Sequence, residues 1–108
     1  MSGFDNTSFT VRTATGTTDT LLATDSIVIY TNTSAKTVTV PAISALTPGR
    51  RFTVVNTAAG TVTITPTGAT INGAATFVTP AGTAAGAGRT SFVNDGTNWH
   101  TISGTTTA

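Results

Sequence analysis

Threonine alternates with valine, isoleucine or phenylalanine along several stretches of this chain, and that two-residue rhythm is a strand pattern. In Lys36-Thr37-Val38-Thr39-Val40 the valines fall on one face and polar residues on the other. Phe52 and Val54 repeat the pattern within residues 50–56, and Val62 and Ile64 within residues 61–65. The run Ser26-Ile27-Val28-Ile29-Tyr30 is more continuously apolar, as in a strand buried on both faces or lying against a partner chain. Helix has little support. Of 108 residues 29 are threonine, and β-branched side chains lose rotamer freedom in a helix but pack well on a pleated sheet.

Turn chemistry separates the strands. Asn94-Asp95-Gly96-Thr97 lies between Thr90-Ser91-Phe92-Val93 and Asn98-Trp99-His100-Thr101-Ile102, and Asp-Gly suits a hairpin whose two central residues take positive φ. Ala58-Ala59-Gly60 is expected to close a second hairpin between the Phe52 and Val62 strands, with Thr47-Pro48-Gly49 as a turn before the first of them. Pro66-Thr67-Gly68, Asn72-Gly73 and Pro80-Ala81-Gly82 break the next stretch into short pieces, and residues 84–88 read as a loop. No solenoid period is evident, although the two expected hairpins resemble one another loosely. The expected organisation is an N-terminal arm or edge strand over residues 1–25, a β-domain over 26–103 and a tail over 104–108.

Charge is scarce. Five basic residues stand against four acidic ones, a net +1, and charged residues make up 8% of the chain where ordinary domains run near ~25%. That is too little for the phosphate-neutralising patch of a nucleic-acid binder, so no nucleic-acid partner is expected. No apolar run approaches the ~18 to 20 residues of a spanning helix, so no membrane partner is expected either, and no secretory signal is visible in residues 1–20. The absence of cysteine removes disulfides and thiolate metal sites. Low charge and positive mean hydropathy argue against disorder, which combines low hydrophobicity with self-repulsion.

Groups suited to catalysis are few. His100 is the sole histidine, and pairing it with Asp95 and one of many hydroxyls is uninformative because hydroxyls are everywhere. Asp95, Asn98 and His100 form a poor metal site, and Asp95 is already explained by its turn. Residues 81–88 lack the Gly-x-x-x-x-Gly-Lys spacing that cradles phosphate. Four aspartates and no glutamate give little material for a glycoside hydrolase. The expectation is no enzyme, no cofactor and no metal. The residues expected to meet partners are Phe4, Phe9, Leu21 and Leu22 in the N-terminal part, then Tyr30, the Arg50-Arg51 pair and Trp99.

Thr37-Val38-Thr39-Val40-Pro41, then Pro48-Gly49-Arg50-Arg51-Phe52-Thr53-Val54-Val55-Asn56, then Gly60-Thr61-Val62-Thr63-Ile64-Thr65-Pro66 occur in an order that carries a resemblance. Ala69-Thr70-Ile71-Asn72-Gly73 and Val93-Asn94-Asp95-Gly96-Thr97-Asn98-Trp99 complete it. From Val38 to Ser103 the chain resembles a module of tailed-bacteriophage virion proteins found in tail fibres, head fibres and capsid-decorating (cement) proteins. Ala69 stands where that module usually has an acidic residue, and residues 81–88 replace longer polar strands. The resemblance implies a non-enzymatic virion component, commonly trimeric, made in the bacterial cytoplasm.

Marginal core size and strand edges with Lys36 as the only lysine also point to self-association. A chain with room for one module and a short arm fits a decoration protein that binds itself as a homotrimer and binds the major capsid protein. The alternative is a fibre tip that binds a host receptor or carbohydrate through Trp99, Tyr30 and residues 81–88. The expected fold is all-β, a compact antiparallel barrel or sandwich of about seven or eight short strands, or an interdigitated trimeric β-prism.

Overall fold

A computed structural model describes residues 10–83 and 88–104, with the backbone alone for residues 103 and 104. The protein is all-β, with nine strands among those residues: β1 (Val11–Ala14), β2 (Thr18–Thr20), β3 (Ile27–Tyr30), β4 (Lys36–Val40), β5 (Arg51–Asn56), β6 (Val62–Pro66), β7 (Phe77–Thr79), β8 (Arg89–Asn94) and β9 (Trp99–Gly104). A single 3-10 turn, Ile43–Ala45, interrupts them. Sheet A has the order β1-β3-β5-β8-β9 and sheet B the order β2-β4-β6-β7.

Period-2 alternation sets which side chains meet between the sheets. Val28, Tyr30, Phe52, Val54, Phe92 and Trp99 of sheet A join Val38, Val40, Val62, Ile64 and Phe77 of sheet B in one buried cluster. Phe52, Phe92 and Trp99 form an aromatic triangle with ring centroids 5.3 to 5.9 Å apart. Threonine occupies many of the alternate positions. Thr37 is exposed, and Thr39, Thr53, Thr63 and Thr65 are half-buried.

The strand pairing corrects the antiparallel expectation. The first six strands alternate between the sheets, so β1, β3 and β5 stack in parallel, and so do β2, β4 and β6. The antiparallel pairs are β5 with β8, β8 with β9 and β6 with β7. Ile27 pairs with Thr53 and Lys36 with Val62, so the second and third coils superpose at the same 26-residue offset in both sheets. The first and second coils pair at shorter offsets, Val11 with Ile27 and Thr18 with Thr37, so the stacking is solenoid-like without a constant period. The two sheets are mixed, and no closed barrel forms.

Ala58-Ala59-Gly60 does not close a hairpin. It turns the corner from β5 in sheet A to β6 in sheet B, because each of those strands is captured in parallel by its counterpart in the preceding coil. Gly60 serves close approach here and is not among the residues of positive φ. A Cβ on it would lie 2.1 Å from the Ser34 carbonyl oxygen of the corner below. Gly60→Ala is therefore expected to cost about 1–3 kcal/mol in urea unfolding, because backbone must move to admit the methyl. Gly16→Ala, whose Cβ finds only an ordinary contact at 3.7 Å, is the matched control and is expected within about 0.5 kcal/mol of wild type.

The Asp95-Gly96 hairpin between β8 and β9 forms, but as a four-residue loop. Only Gly96 takes positive φ (95°), while the Asp95 carboxylate accepts the N–H groups of Thr97 and Asn98 at 2.9 and 2.8 Å. The turn with two positive φ values is Asn72-Gly73 (53° and 81°), where Ile71 and Ala74 exchange both backbone hydrogen bonds at 2.9 Å.

Candidate functional site

The outer face of sheet A is the most distinctive surface. β3 and β5 are interior strands, and their outward positions are Ile27 and Ile29 on β3 and Arg51, Thr53 and Val55 on β5. β8 adds Arg89, Ser91 and Val93 beside them. Val11 on β1 is 65% exposed and Ile102 on β9 is 51% exposed. Thr53 and Ser91 share a hydroxyl hydrogen bond of 2.9 Å at the centre. The face is thus apolar and hydroxyl-rich, with arginines on β5 and β8.

A cleft of about 530 Å³ opens at one end of that face, between Ser26 and Ile27, the turn of residues 47–50, and Arg51 and Thr53. Gly49 at φ 87° shapes the turn, and the Arg50 N–H donates to the Thr47 carbonyl at 3.1 Å. The Arg50 guanidinium is turned back onto the chain. It donates to the carbonyls of Ala23, Asp25 and Arg51 and sits 4.3 Å from the centre of the Phe52 ring. Burial holds it below its ordinary pKa, although the Asp25 charge acts the other way. Arg51 is exposed.

Arg12, Asp19, Asp25, Lys36 and Asp95 are bonded within the chain. Arg12 of β1 points between the sheets and forks onto Asp19 at 3.0 and 2.9 Å and onto Asp25 at 3.2 and 2.8 Å. Tyr30 donates its hydroxyl to Asp19 at 2.7 Å, and the Leu22 N–H donates to Asp25 at 2.8 Å. This ionic clip closes the core where β1 and β2 end their sheets. Its hydrogen bonds to Asp25 and Asp19 raise the Arg12 pKa further, and burial with the Asp19 carboxylate raises that of Tyr30.

Lys36 lies on the valine face of β4 and is buried, which corrects its placement among the outward polar residues. Its ammonium donates to the carbonyls of Asn32, Ser34 and Gly60 at the corners of two coils, and burial lowers its pKa. Asp95 is held down to about 2, by the Asn98 N–H above all, with His100 at 2.8 Å and the Thr97 N–H adding to it. Among the described residues, no three of His, Cys, Asp and Glu gather as metal ligands.

Several residues expected at a partner surface lie elsewhere. Leu21, Tyr30 and Trp99 are 1%, 1% and 0% exposed, so the core withholds them from a partner. Leu22 is exposed, Arg50 is half-buried and Arg51 is open, while Phe4 and Phe9 lie outside the described residues. Residues 10–25, expected as an arm or edge strand, supply β1 and β2, each an edge strand of the same two sheets. Of the expected loop at residues 84–88, residues 84–87 lie outside the described residues.

Sequence reasoning missed the ionic clip, whose partners are 7 and 13 residues apart and match no local motif. It also missed Arg89, which becomes notable only once the register places it on the same face as Arg51. Two of the segments that carry the virion-module resemblance, residues 69–73 and 93–99, are bonded to each other. The Trp99 N–H donates to the Thr70 carbonyl at 2.8 Å, the Asn72 N–H to the Trp99 carbonyl at 2.9 Å, and the Thr70 N–H to the Asn98 side chain at 3.0 Å. These residues build the scaffold. Comparison of the chain with protein-family models gives no match, and comparison with curated proteins gives none either.

Proposed function

We propose that this protein is a structural component of a tailed-bacteriophage virion, a decoration protein that binds the shell of major capsid subunits as a homotrimer and stabilises it. The observation that carries this reading is the outer face of sheet A, a broad apolar and hydroxyl-lined surface. Its hydroxyls can bond a partner's backbone without the desolvation cost of buried charge, a cost that Arg51 and Arg89 alone would add on β5 and β8.

For self-association this reading draws on the sheet edges. The edge strands β1, β2 and β7 carry neither lysine nor proline, the residues that commonly discourage edge pairing, while residues 70–72 already cover the start of β9. A fibre tip that binds host carbohydrate is less favoured, because Trp99 and Tyr30, its stacking platforms, are in the core. Particles assembled without the protein are expected to disrupt at a lower temperature than complete ones, and the protein is expected to purify with particles at fixed copy number. Particles that lack it and remain equally heat-stable would overturn the reading.

A further inference from the structure

Of the eight Asp, Lys and Arg side chains among the described residues, six are satisfied within the chain. Asp19 and Asp25 hold Arg12, and Asp95 holds His100. Arg50 and Lys36 are occupied by backbone carbonyls. Among the described residues the two side-chain cations left without a partner are Arg51 and Arg89, and the register places both on the outer face of sheet A. Arg51 pairs across the ladder with Val93, and Val55 pairs with Arg89. The two arginines thus stand at diagonal corners of the β5–β8 pair, about 14 Å apart by strand geometry. Between them lie Val55, Val93 and the Thr53–Ser91 hydroxyl pair, with Ile27 and Ile29 alongside on β3.

A surface that covers this face must match both guanidinium groups, since a cation buried without a partner costs more than the apolar contact around it returns. A second copy of the chain is poorly suited. Among its described residues Asp19, Asp25 and Asp95 are already engaged, and two such faces packed together would set arginine against arginine. The cleft beside Arg51 offers a recess in which an inserted carboxylate side chain can meet that guanidinium.

We propose that the outer face of sheet A is the docking surface for a different protein, one that presents an apolar centre with carboxylates spaced to reach Arg51 and Arg89. This rests on the decoration reading, under which that protein is the shell subunit.

The test measures binding to shells assembled without this protein. Wild type is compared with the double variants Arg51→Glu/Arg89→Glu, Arg51→Met/Arg89→Met and Phe4→Ala/Phe9→Ala, each checked for melting temperature and oligomeric state. The charge reversal is expected to weaken binding at least about ten-fold with fold and oligomeric state unchanged. The methionine pair is expected to lose less, and to lose much of the salt dependence that wild type shows between about 50 and 500 mM. Wild-type binding matched by the charge reversal would overturn the docking face and leave the decoration reading standing. Wild type that fails to bind shells would remove both. A change of oligomeric state in the charge reversal would make a second copy the occupant, and loss of binding confined to the phenylalanine pair would move the contact to residues 1–9; either result overturns the proposal.

Discussion

Trp99→Ala is expected to destabilise the protein by about 3–5 kcal/mol, the range for emptying the site of a buried large aromatic side chain. For a domain of this size that corresponds to a fall in melting temperature of roughly 15–30 °C. The expectation follows from position: Trp99 is fully buried and packs on Phe52 and Phe92 at 5.7 and 5.3 Å between centroids. Trp99→Phe should cost much less. It keeps most of the ring contact and removes the indole N–H, which has no hydrogen-bond partner among the described residues. Urea unfolding of the two variants separates a core role from a surface one. A Trp99→Ala protein with wild-type stability and impaired partner binding would place the indole at an interface instead.

Arg12→Met should lose about 2–4 kcal/mol at neutral pH, somewhat less than the ~3–5 of a fully buried pair because the Arg12 side chain is 29% exposed. The pH dependence identifies the cause. Burial pushes the Asp25 carboxyl up, but hydrogen bonds from Arg12 and the Leu22 N–H outweigh it and hold the pKa below its ordinary value. A carboxyl depressed by folding contributes stability above its unfolded pKa of about 3.9, and that contribution is lost as pH falls through the folded value. Without Arg12 the depression goes, so the gap between wild type and variant should narrow from pH 7 toward pH 3. A gap that stays constant over that interval would assign the loss to packing. Adding Asp19→Asn and Asp25→Asn to Arg12→Met should restore part of the neutral-pH stability, because no uncompensated carboxylate then remains.

The alternation of small polar and apolar residues located six of the nine strands, β3 to β6 with β8 and β9, and the inward side of β4, β5 and β6. It could not choose neighbours. A period of two says which face a residue takes but is silent on which strand lies beside it, so β5 and β6, consecutive in sequence, looked like a hairpin when each belongs to a different sheet. The stacking offset was nevertheless present: Val28 recurs at Val54, Thr31 at Thr57, and Thr37-Val38-Thr39 at Thr63-Ile64-Thr65. Strand parity also puts Tyr30 with Val28 on the inward side, a stronger indicator of burial than aromatic character is of an interface. The docking face was only partly legible. Arg51 was visible as a charge, but its counterpart Arg89 is 38 residues away and becomes its companion only through antiparallel pairing of β5 with β8.

The 26-residue superposition of the second and third coils means that this fold can be lengthened without being redesigned. One further coil would add a parallel strand to each sheet and a corner that packs on the one below, as Gly60 packs on Ser34. The Arg12 clip would stay as the stop at one end, and β7 to β9 would stay as the stop at the other. Length in such a protein is a variable that duplication can change in whole steps, each step widening the surface offered by sheet A.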